Sequence, residues 1–99
     1  MSAPASAAPR VAPELSVLLP FRDVESTLGD AIDSVLEERT VPLELVLVDD
    51  GSLDGSRDVA RACEARDPRV RLVSSAGRGL VAALAAGLRE CRAPFVARM

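Results

Sequence analysis

Histidine, lysine, tyrosine and tryptophan are all absent from this chain of 99 residues, and only two of its residues are aromatic. Without histidine there is no Ser-His nucleophile pair and no His-ligated zinc. Without lysine there is neither a Schiff-base residue nor the lysine of a phosphate-binding P-loop. Any acid–base or metal chemistry must therefore depend on the carboxylates of Asp and Glu.

The charge pattern and the shortage of aromatic side chains argue against a nucleic-acid partner. The net charge is −3, and the 12 basic residues, all arginine, are scattered among 15 acidic ones, so no face is built to neutralise a phosphate backbone. Phe21 and Phe95 are too few for the stacking platforms of single-stranded binding sites. No segment approaches the roughly 20 apolar residues of a membrane span, so no membrane segment is predicted.

Cys63 and Cys91 are the two cysteines, and they lie far apart in the sequence. Each falls within an apolar pattern of helical spacing, which argues against a CxxC redox site and against a zinc ribbon. We interpret them as buried, reduced thiols. Reduced thiols are typical of cytosolic proteins, so the expected location is cytoplasmic.

The chain divides into a short tail and one α/β domain. Residues 1–13 are rich in Ala, Pro and Ser, which predicts a disordered tail. In residues 14–99, short apolar runs at 15–19, 43–48, 70–74 and 95–97 predict four strands. The segments between them have helical spacing, with Ser26 and Asp54 as candidate caps of the first two helices and Val59, Ala62 and Cys63 on the inner side of the second. Strands that alternate with helices indicate a parallel sheet with right-handed crossovers.

Ligands of open α/β sheets bind beyond the carboxyl ends of the strands, which here are residues 20–23, 49–52 and 74–79. We expect these three loops to lie side by side. The first loop has no glycine, whereas a GxGxxG dinucleotide site needs glycines that bring backbone amides onto the pyrophosphate. A Rossmann dehydrogenase is therefore disfavoured.

The adjacent acids Asp49 and Asp50, at the end of a buried strand, are the most informative local feature, because two neighbouring carboxylates repel each other and need compensating partners. In one interpretation, one acid caps the following turn and the other is solvated. In the other, one carboxylate accepts hydrogen bonds from a nucleobase N–H or a ribose hydroxyl. Arg22 supplies an opposite charge one loop away, although pairing with Asp23 or Glu25 at the surface is the simpler expectation for it.

Two other functions fit this loop poorly. The order Asp50-x-Ser52-x-Asp54-Gly55 imitates the start of an EF-hand, but Arg61 stands where a bidentate Glu is required and a strand precedes it instead of a helix. A response-regulator receiver also has acids at a strand end, but it needs a later lysine that this chain lacks. Calcium binding and phosphoacceptor chemistry are both disfavoured.

With these residues in view, the sequence resembles glycosyltransferase family 2. The matching stretches are residues 15–23 (LSVLLPFRD), 48–56 (VDDGSLDGS) and 78–87 (RGLVAALAAG). The second contains the family's V-D-D-G-S-x-D-G block, and the three occur in the family's order and spacing. The resemblance covers residues 15–99 and implies part of a GT-A, Rossmann-like fold: a mostly parallel sheet of about four strands with alternating helices.

The resemblance also implies a nucleotide-sugar site, with a UDP-sugar as the favoured donor. Its candidate residues are Pro20, Phe21, Arg22, Asp23, Asp49 and Asp50. Of these, Pro20, Phe21, Arg22 and Asp50 are expected to contact the nucleoside, while Asp49 orients the loop. The family often has Tyr or Asn where Arg22 and Asp23 stand, so the identity of the donor stays open.

The remaining parts of such an enzyme are expected outside this chain. The family's D-x-D, which in the full-length enzyme binds Mg²⁺ or Mn²⁺, would begin just after Met99, as would the catalytic base and the acceptor pocket. The chain alone is therefore expected to hold no metal and to be inactive. A non-catalytic nucleotide-binding or partner-binding α/β module is the alternative. The last strand, residues 95–97, is also expected to present an apolar edge that favours self-association.

Overall fold

The computed structural model describes residues 12–99, in which four strands and three helices alternate strictly. The strands are β1 (Leu15–Phe21), β2 (Leu43–Asp49), β3 (Val70–Ser74) and β4 (Phe95–Arg98). The helices are α1 (Glu25–Leu36), α2 (Ser56–Arg66) and α3 (Leu80–Glu90). The tail predicted for residues 1–13 lies outside the described residues, apart from its last two positions. In the described part of the chain, none of the helices has the length and apolarity needed to span a membrane.

The four strands form one parallel sheet in the order β3-β2-β1-β4, which confirms the predicted fold class. Every residue of β2 is buried. Its nearly continuous apolar run is typical of a strand that has neighbours on both sides and helices on both faces. β2 therefore forms the centre of the core, and the loop that follows it lies between the loops that follow β1 and β3.

The helices cover the two faces of the sheet unequally. α1 and α2 pack on one face with alternate residues of β1 and β2, including Val17, Leu45 and Leu47. α3 packs on the other face, against Leu18 and Val46 among others. The alternation follows from the two-residue period of a strand, which sends successive side chains to opposite faces.

α3 approaches the sheet closely because one of its buried residues is Gly87. A Cβ placed on Gly87 would overlap the side chains of Leu18 and Val48. The absence of a side chain there lets the helix lie close to the strands, and any larger residue would force the side chains of Leu18 and Val48, or the helix itself, to move.

A buried charged cluster joins the elements at the amino-terminal edge of the sheet. Glu44, which is completely buried, accepts hydrogen bonds at Oε2 from Ser16 Oγ and from the amide of Arg92, both at 2.6 Å. Its Oε1 lies 3.1 Å from Arg92 Nε and 3.5 Å from an Arg71 amino group. Burial alone raises the pKa of Glu44, but the hydrogen bonds from Ser16 and Arg92 and the charge of Arg71 outweigh it, so the pKa is below its ordinary value.

Several local predictions are wrong. α1 begins at Glu25 with Val24 in the cap position, so Ser26 is not its cap. α2 begins after Gly55, which stands in the cap position predicted for Asp54, although Asp54 Oδ1 still accepts a hydrogen bond from the first amide of that helix. β1 continues through Pro20, because its pairing with β4 ends at Leu18 and a proline beyond that point interrupts no ladder with β4.

The inner side of α2 also differs from the prediction. Its buried residues are Ser56, Ala60 and Cys63, and Val59 is partly buried against the same core. Val59 and Cys63 therefore lie on the inner side as predicted, whereas Ala62 is exposed because it lies about 200° around the helix from Ala60. Both cysteines are free thiols, with Cys63 buried and Cys91 partly buried just beyond the end of α3.

Candidate functional site

The loops after β1, β2 and β3 meet at the carboxyl edge of the sheet, as expected for parallel strands. Phe21 is in register with Asp49, and Asp49 with Ser74, so the three strands end at one level. Backbone hydrogen bonds continue past the strands: the amide of Asp50 donates to Phe21 O at 2.9 Å, and the amide of Ser75 donates to Asp49 O at 3.1 Å. The three loops are thus held side by side with the second in the middle.

A pocket of about 190 Å³ opens at this edge, lined by Pro20, Phe21, Arg22, Asp50 and Leu80. Its volume is below the roughly 300–1,000 Å³ of sites that enclose a whole small-molecule ligand, so it fits one part of a ligand. Four of the six predicted site residues line it. Leu80 was not predicted, although its position at the start of a helix that follows a glycine-rich turn was a usable signal.

Asp50 lines the pocket, and one of its two carboxylate oxygens is fixed by hydrogen bonds. The residue is 7% exposed, and its Oδ1 accepts hydrogen bonds from Ser75 Oγ at 2.8 Å and from the amide of Gly79 at 3.2 Å. Gly79 caps the amino terminus of α3, where the helix dipole favours negative charge. No residue between 12 and 99 donates a hydrogen bond to Oδ2. This oxygen is therefore available to a ligand.

Asp49 does not line the pocket. Its side chain is 2% exposed, its Oδ1 accepts a hydrogen bond from the amide of Ser52 at 2.9 Å, and its Oδ2 lies 3.0 Å from Arg57 Nε. These contacts are those of a residue that orients the loop after β2 and ties it to α2. Asp49 and Asp50 therefore avoid mutual repulsion through separate sets of donors.

Arg22 and Asp23 diverge although they are neighbours. Arg22 is exposed at the pocket and, among residues 12–99, forms no ion pair with a carboxylate, so the surface pairing with Asp23 or Glu25 is not found. The Asp23 carboxylate faces the second loop, where its Oδ1 accepts hydrogen bonds from the amides of Leu53 at 2.7 Å and Asp54 at 3.3 Å. The structure thus places Asp23 between the loops and not at the pocket.

The first two loops are joined by further bonds from side chain to backbone. The amide of Asp23 donates to Ser52 Oγ at 3.1 Å, and the amide of Val24 donates to Ser56 Oγ at 2.8 Å. The amides that precede α1 are therefore satisfied by Ser52 in the second loop and by Ser56 at the start of α2. A single sequence pattern cannot reveal such capping, because donor and acceptor are about 30 positions apart.

The second and third loops approach each other at two glycines. Gly51 has φ of +81°, and a Cβ placed on it would lie 2.8 Å from the Cα of Gly77. No side chain fits between the two backbones at that distance. The glycine of the D-D-G-S stretch is therefore required by both its dihedral angle and this contact.

The described residues do not fit a metal site. Between residues 12 and 99, no group of three or more His, Cys, Asp or Glu side chains is arranged to hold a metal ion. The acids of the EF-hand-like stretch are engaged elsewhere: Asp54 Oδ1 accepts from the amide of Ser56, and its Oδ2 accepts from the amide of Glu25. Asp50 is the one pocket-lining residue in this part of the chain with a carboxylate.

Sequence comparisons agree with this arrangement. The model of the family described as Glycosyl transferase family 2 matches residues 16–99. The chain is 32% identical over 84 residues to the uncharacterized glycosyltransferase EpsJ of Bacillus subtilis, an alignment that covers 85% of this chain and 24% of EpsJ. It is 27% identical over 87 residues to chondroitin synthase of Escherichia coli, covering 88% of this chain and 13% of that protein. The chain therefore spans about a quarter or less of the length of these two relatives.

Solved structures are similar over most of the chain. The mannosyltransferase PcManGT from Pyrobaculum calidifontis, in complex with GDP-Man and Mn²⁺, has a TM-score of 0.77 and 26% identity over 91% of this chain and 28% of that one. Glucosyl-3-phosphoglycerate synthase from Mycobacterium tuberculosis, in complex with Mn²⁺, UDP and glucosyl-3-phosphoglycerate, has a TM-score of 0.73 and 26% identity over 88% and 33%. These similarities confirm the expected GT-A type of architecture.

Proposed function

The chain belongs to glycosyl transferase family 2, and on that premise we propose that its pocket binds the nucleoside part of a nucleotide-sugar donor. In the whole protein, the sugar of that donor is transferred to an acceptor hydroxyl. The observation that carries the proposal is the free Oδ2 of Asp50, in a pocket at the carboxyl ends of parallel strands. Such an edge is where open α/β sheets bind ligands.

The chemistry of the pocket matches a nucleobase. An ionised carboxylate only accepts hydrogen bonds, so Asp50 suits an N–H of a base or a hydroxyl of a ribose. Pro20, Phe21 and Leu80 supply apolar contacts for the flat faces of a base. Arg22, which is exposed and lines the pocket, adds a positive charge that attracts an anionic donor.

We propose a UDP-sugar as the donor. Uracil in a nucleoside has one N–H, at N3, which matches the single free oxygen of Asp50. The two similar structures are complexes with UDP and with GDP-Man, so both uridine and guanosine nucleotides are compatible with the architecture. Comparison of UDP with GDP binding by this chain decides between them.

The division of labour along the protein follows from which residues are present. Residues 12–99 contain no cluster of carboxylates suited to Mg²⁺ or Mn²⁺. When bound elsewhere in such an enzyme, the metal neutralises the diphosphate leaving group. The proposed role of this chain is to bind the nucleoside. In the alternative, a non-catalytic nucleotide-binding module, the same pocket would bind the nucleotide. Sugar transfer by the whole protein, measured with a UDP-sugar, separates the two.

We also place the chain in the cytoplasm, on the basis of its two free thiols.

The proposed site is tested by titrating the chain with UDP while backbone amide shifts are recorded. We expect binding near millimolar, because the diphosphate has no metal partner here. The shifts should cluster at residues 20–23, 49–52 and 75–80. Asp50→Asn should abolish them, whereas Asp30→Asn, on the exposed side of α1, should leave them unchanged. Shifts that cluster elsewhere, or that survive in Asp50→Asn, would overturn the proposal.

A further inference from the structure

Ser75 is a buried residue that follows β3 and whose hydroxyl donates to Asp50, a residue that lines the pocket. It is 8% exposed and is not among the residues that line the pocket. Its amide donates to Asp49 O at 3.1 Å, which fixes its backbone to the end of β2. Its hydroxyl donates to Asp50 Oδ1 at 2.8 Å. Ser75 therefore connects a fixed backbone to the carboxylate that faces the pocket.

The geometry of these bonds selects one orientation of the Asp50 carboxylate. A serine hydroxyl has one hydrogen to donate, and its other contact, to Asp49 O at 3.5 Å, is much longer than the 2.8 Å contact to Oδ1. The amide of Gly79 converges on the same Oδ1. With both donors on Oδ1, Oδ2 is the oxygen that remains for a ligand.

We propose that Ser75 is a positioning residue that sets the base preference of the pocket by fixing the carboxylate of Asp50. The inference rests on the proposed function and deepens it. The terminal torsion of an aspartate is broad when nothing restrains it, so an unclamped carboxylate would offer its oxygens in many directions. The clamp restricts Oδ2 to one direction, along which a bound N–H donor must lie.

This restriction distinguishes uracil from cytosine. N3 of uracil carries a hydrogen and donates to Oδ2, whereas N3 of cytosine is an acceptor and opposes the carboxylate. A site built for one hydrogen-bonding pattern rejects a ligand that leaves its polar group unpaired. A loosely held carboxylate would turn away from cytosine, so the preference for uracil depends on the clamp.

The experiment compares the dissociation constants of UDP, CDP and N3-methyl-UDP for the original chain and its Ser75 variants. Ser75→Ala should weaken UDP binding by about five- to tenfold, the size expected for loss of one ordinary hydrogen bond, and should lower the CDP-to-UDP ratio of dissociation constants. N3-methyl-UDP, which has no N3–H, should bind both forms equally weakly. Ser75→Thr keeps the hydroxyl and should show the same CDP-to-UDP ratio as the original chain.

The outcomes separate this inference from the proposed function. If Asp50→Asn leaves UDP binding unchanged, the proposed site is wrong. If Asp50→Asn abolishes binding but folded Ser75→Ala keeps the original ratio for CDP and UDP, only the role of Ser75 is wrong. Thermal melting shows whether each variant is folded. If Ser75→Ala unfolds, Ser75→Cys keeps the volume with a much weaker donor, and an unchanged ratio there would overturn the inference equally.

Discussion

Glu25 and Asp54 exchange hydrogen bonds across two loops. Asp54 Oδ2 accepts from the amide of Glu25 at 3.1 Å, and Glu25 Oε1 accepts from the amide of Gly55 at 2.9 Å. Each carboxylate therefore satisfies a backbone donor at the start of the helix that follows the other loop. The amino termini of α1 and α2 are therefore capped in part by each other's loops, and Asp54 Oδ1 also accepts a hydrogen bond from the first amide of its own helix, α2.

This exchange predicts that the two acids act as one unit in stability. Asp54→Ala and Glu25→Ala should each lower the Tm by a few degrees, because each leaves amides at a helix terminus without an acceptor. Each single change removes one of the two bonds and loosens the loops that hold the other, so the double variant should lose less than the sum of the two. Asp33→Ala, on the exposed side of α1, is the control. Strictly additive losses would contradict the shared role.

The second prediction concerns acid stability and Glu44. A carboxyl whose pKa is lowered in the folded state stabilises it above its pKa in the unfolded chain, and that stabilisation is lost as the pH falls through the folded pKa. Below about pH 4.5 the free energy of unfolding should therefore decrease. Glu44→Gln should lower it by about 2–4 kcal/mol at pH 7, because Arg71 and Arg92 lose their charged partner.

The measurement is urea unfolding between pH 3 and pH 7. Other acids with lowered pKa values, among them Asp67, contribute to the acid slope of both proteins. The difference between the original chain and Glu44→Gln isolates the contribution of Glu44, and it should shrink as the pH falls. A difference that stays constant over this range would show that the charge of Glu44 is unimportant.

The sequence was sufficient for the order and type of the elements. The apolar runs are separated by helical spacing of the right length, and β2 has the continuous pattern of a doubly covered strand. The errors lie mostly at the ends of elements, such as the start of α1 and the end of β1. Ser26 has the chemistry of a cap, but α1 begins one residue earlier, at Glu25, whose amide donates to Asp54 Oδ2 in the second loop. Propensity describes local choices, and here a tertiary contact replaced one.

The position of the candidate site in the fold could be predicted from the sequence, whereas most of the contacts between its residues could not. That Asp50 would lie at the carboxyl edge follows from its position after a buried strand, and the resemblance assigned it to the nucleoside. The sequence did not indicate that Asp23 would face the second loop, since this depends on a backbone with φ of +51°. Nor did it indicate Ser75, whose importance comes from a hydrogen bond to a residue 25 positions away.

The third prediction uses the close approach of two glycines. Gly51 and Gly77 both have positive φ, so alanine is strained at either position, by about 1 kcal/mol or more. A Cβ on Gly51 would also lie 2.8 Å from the Cα of Gly77, whereas one on Gly77 would make only ordinary contacts, 3.8 Å from the Cα of Gly51. Gly51→Ala should therefore destabilise more than Gly77→Ala by urea unfolding. Equal losses would show that the backbones separate easily.

The fourth prediction is self-association of the polypeptide of residues 1–99. In the described part of the chain, β4 pairs with β1 alone, and Phe95 is 71% and Val96 44% exposed. An apolar edge strand with unpaired backbone groups favours pairing with another copy. Sedimentation coefficients should rise with concentration, and Val96→Lys should reduce that rise. Val81→Lys, a matched change at an exposed position of α3, should leave the rise unchanged. A monomer at every concentration would contradict the prediction.

The hydrogen bonds between the first two loops also constrain how this pocket can be redesigned. Asp23 and Glu25 accept from backbone amides of the second loop, while Ser52 and Asp54 accept from amides of the first. A segment from a related enzyme that replaces one loop alone would lack the side chains that accept hydrogen bonds from the backbone amides of the other loop. The first two loops therefore form one structural unit, and a change of donor preference is best introduced by grafting both loops together.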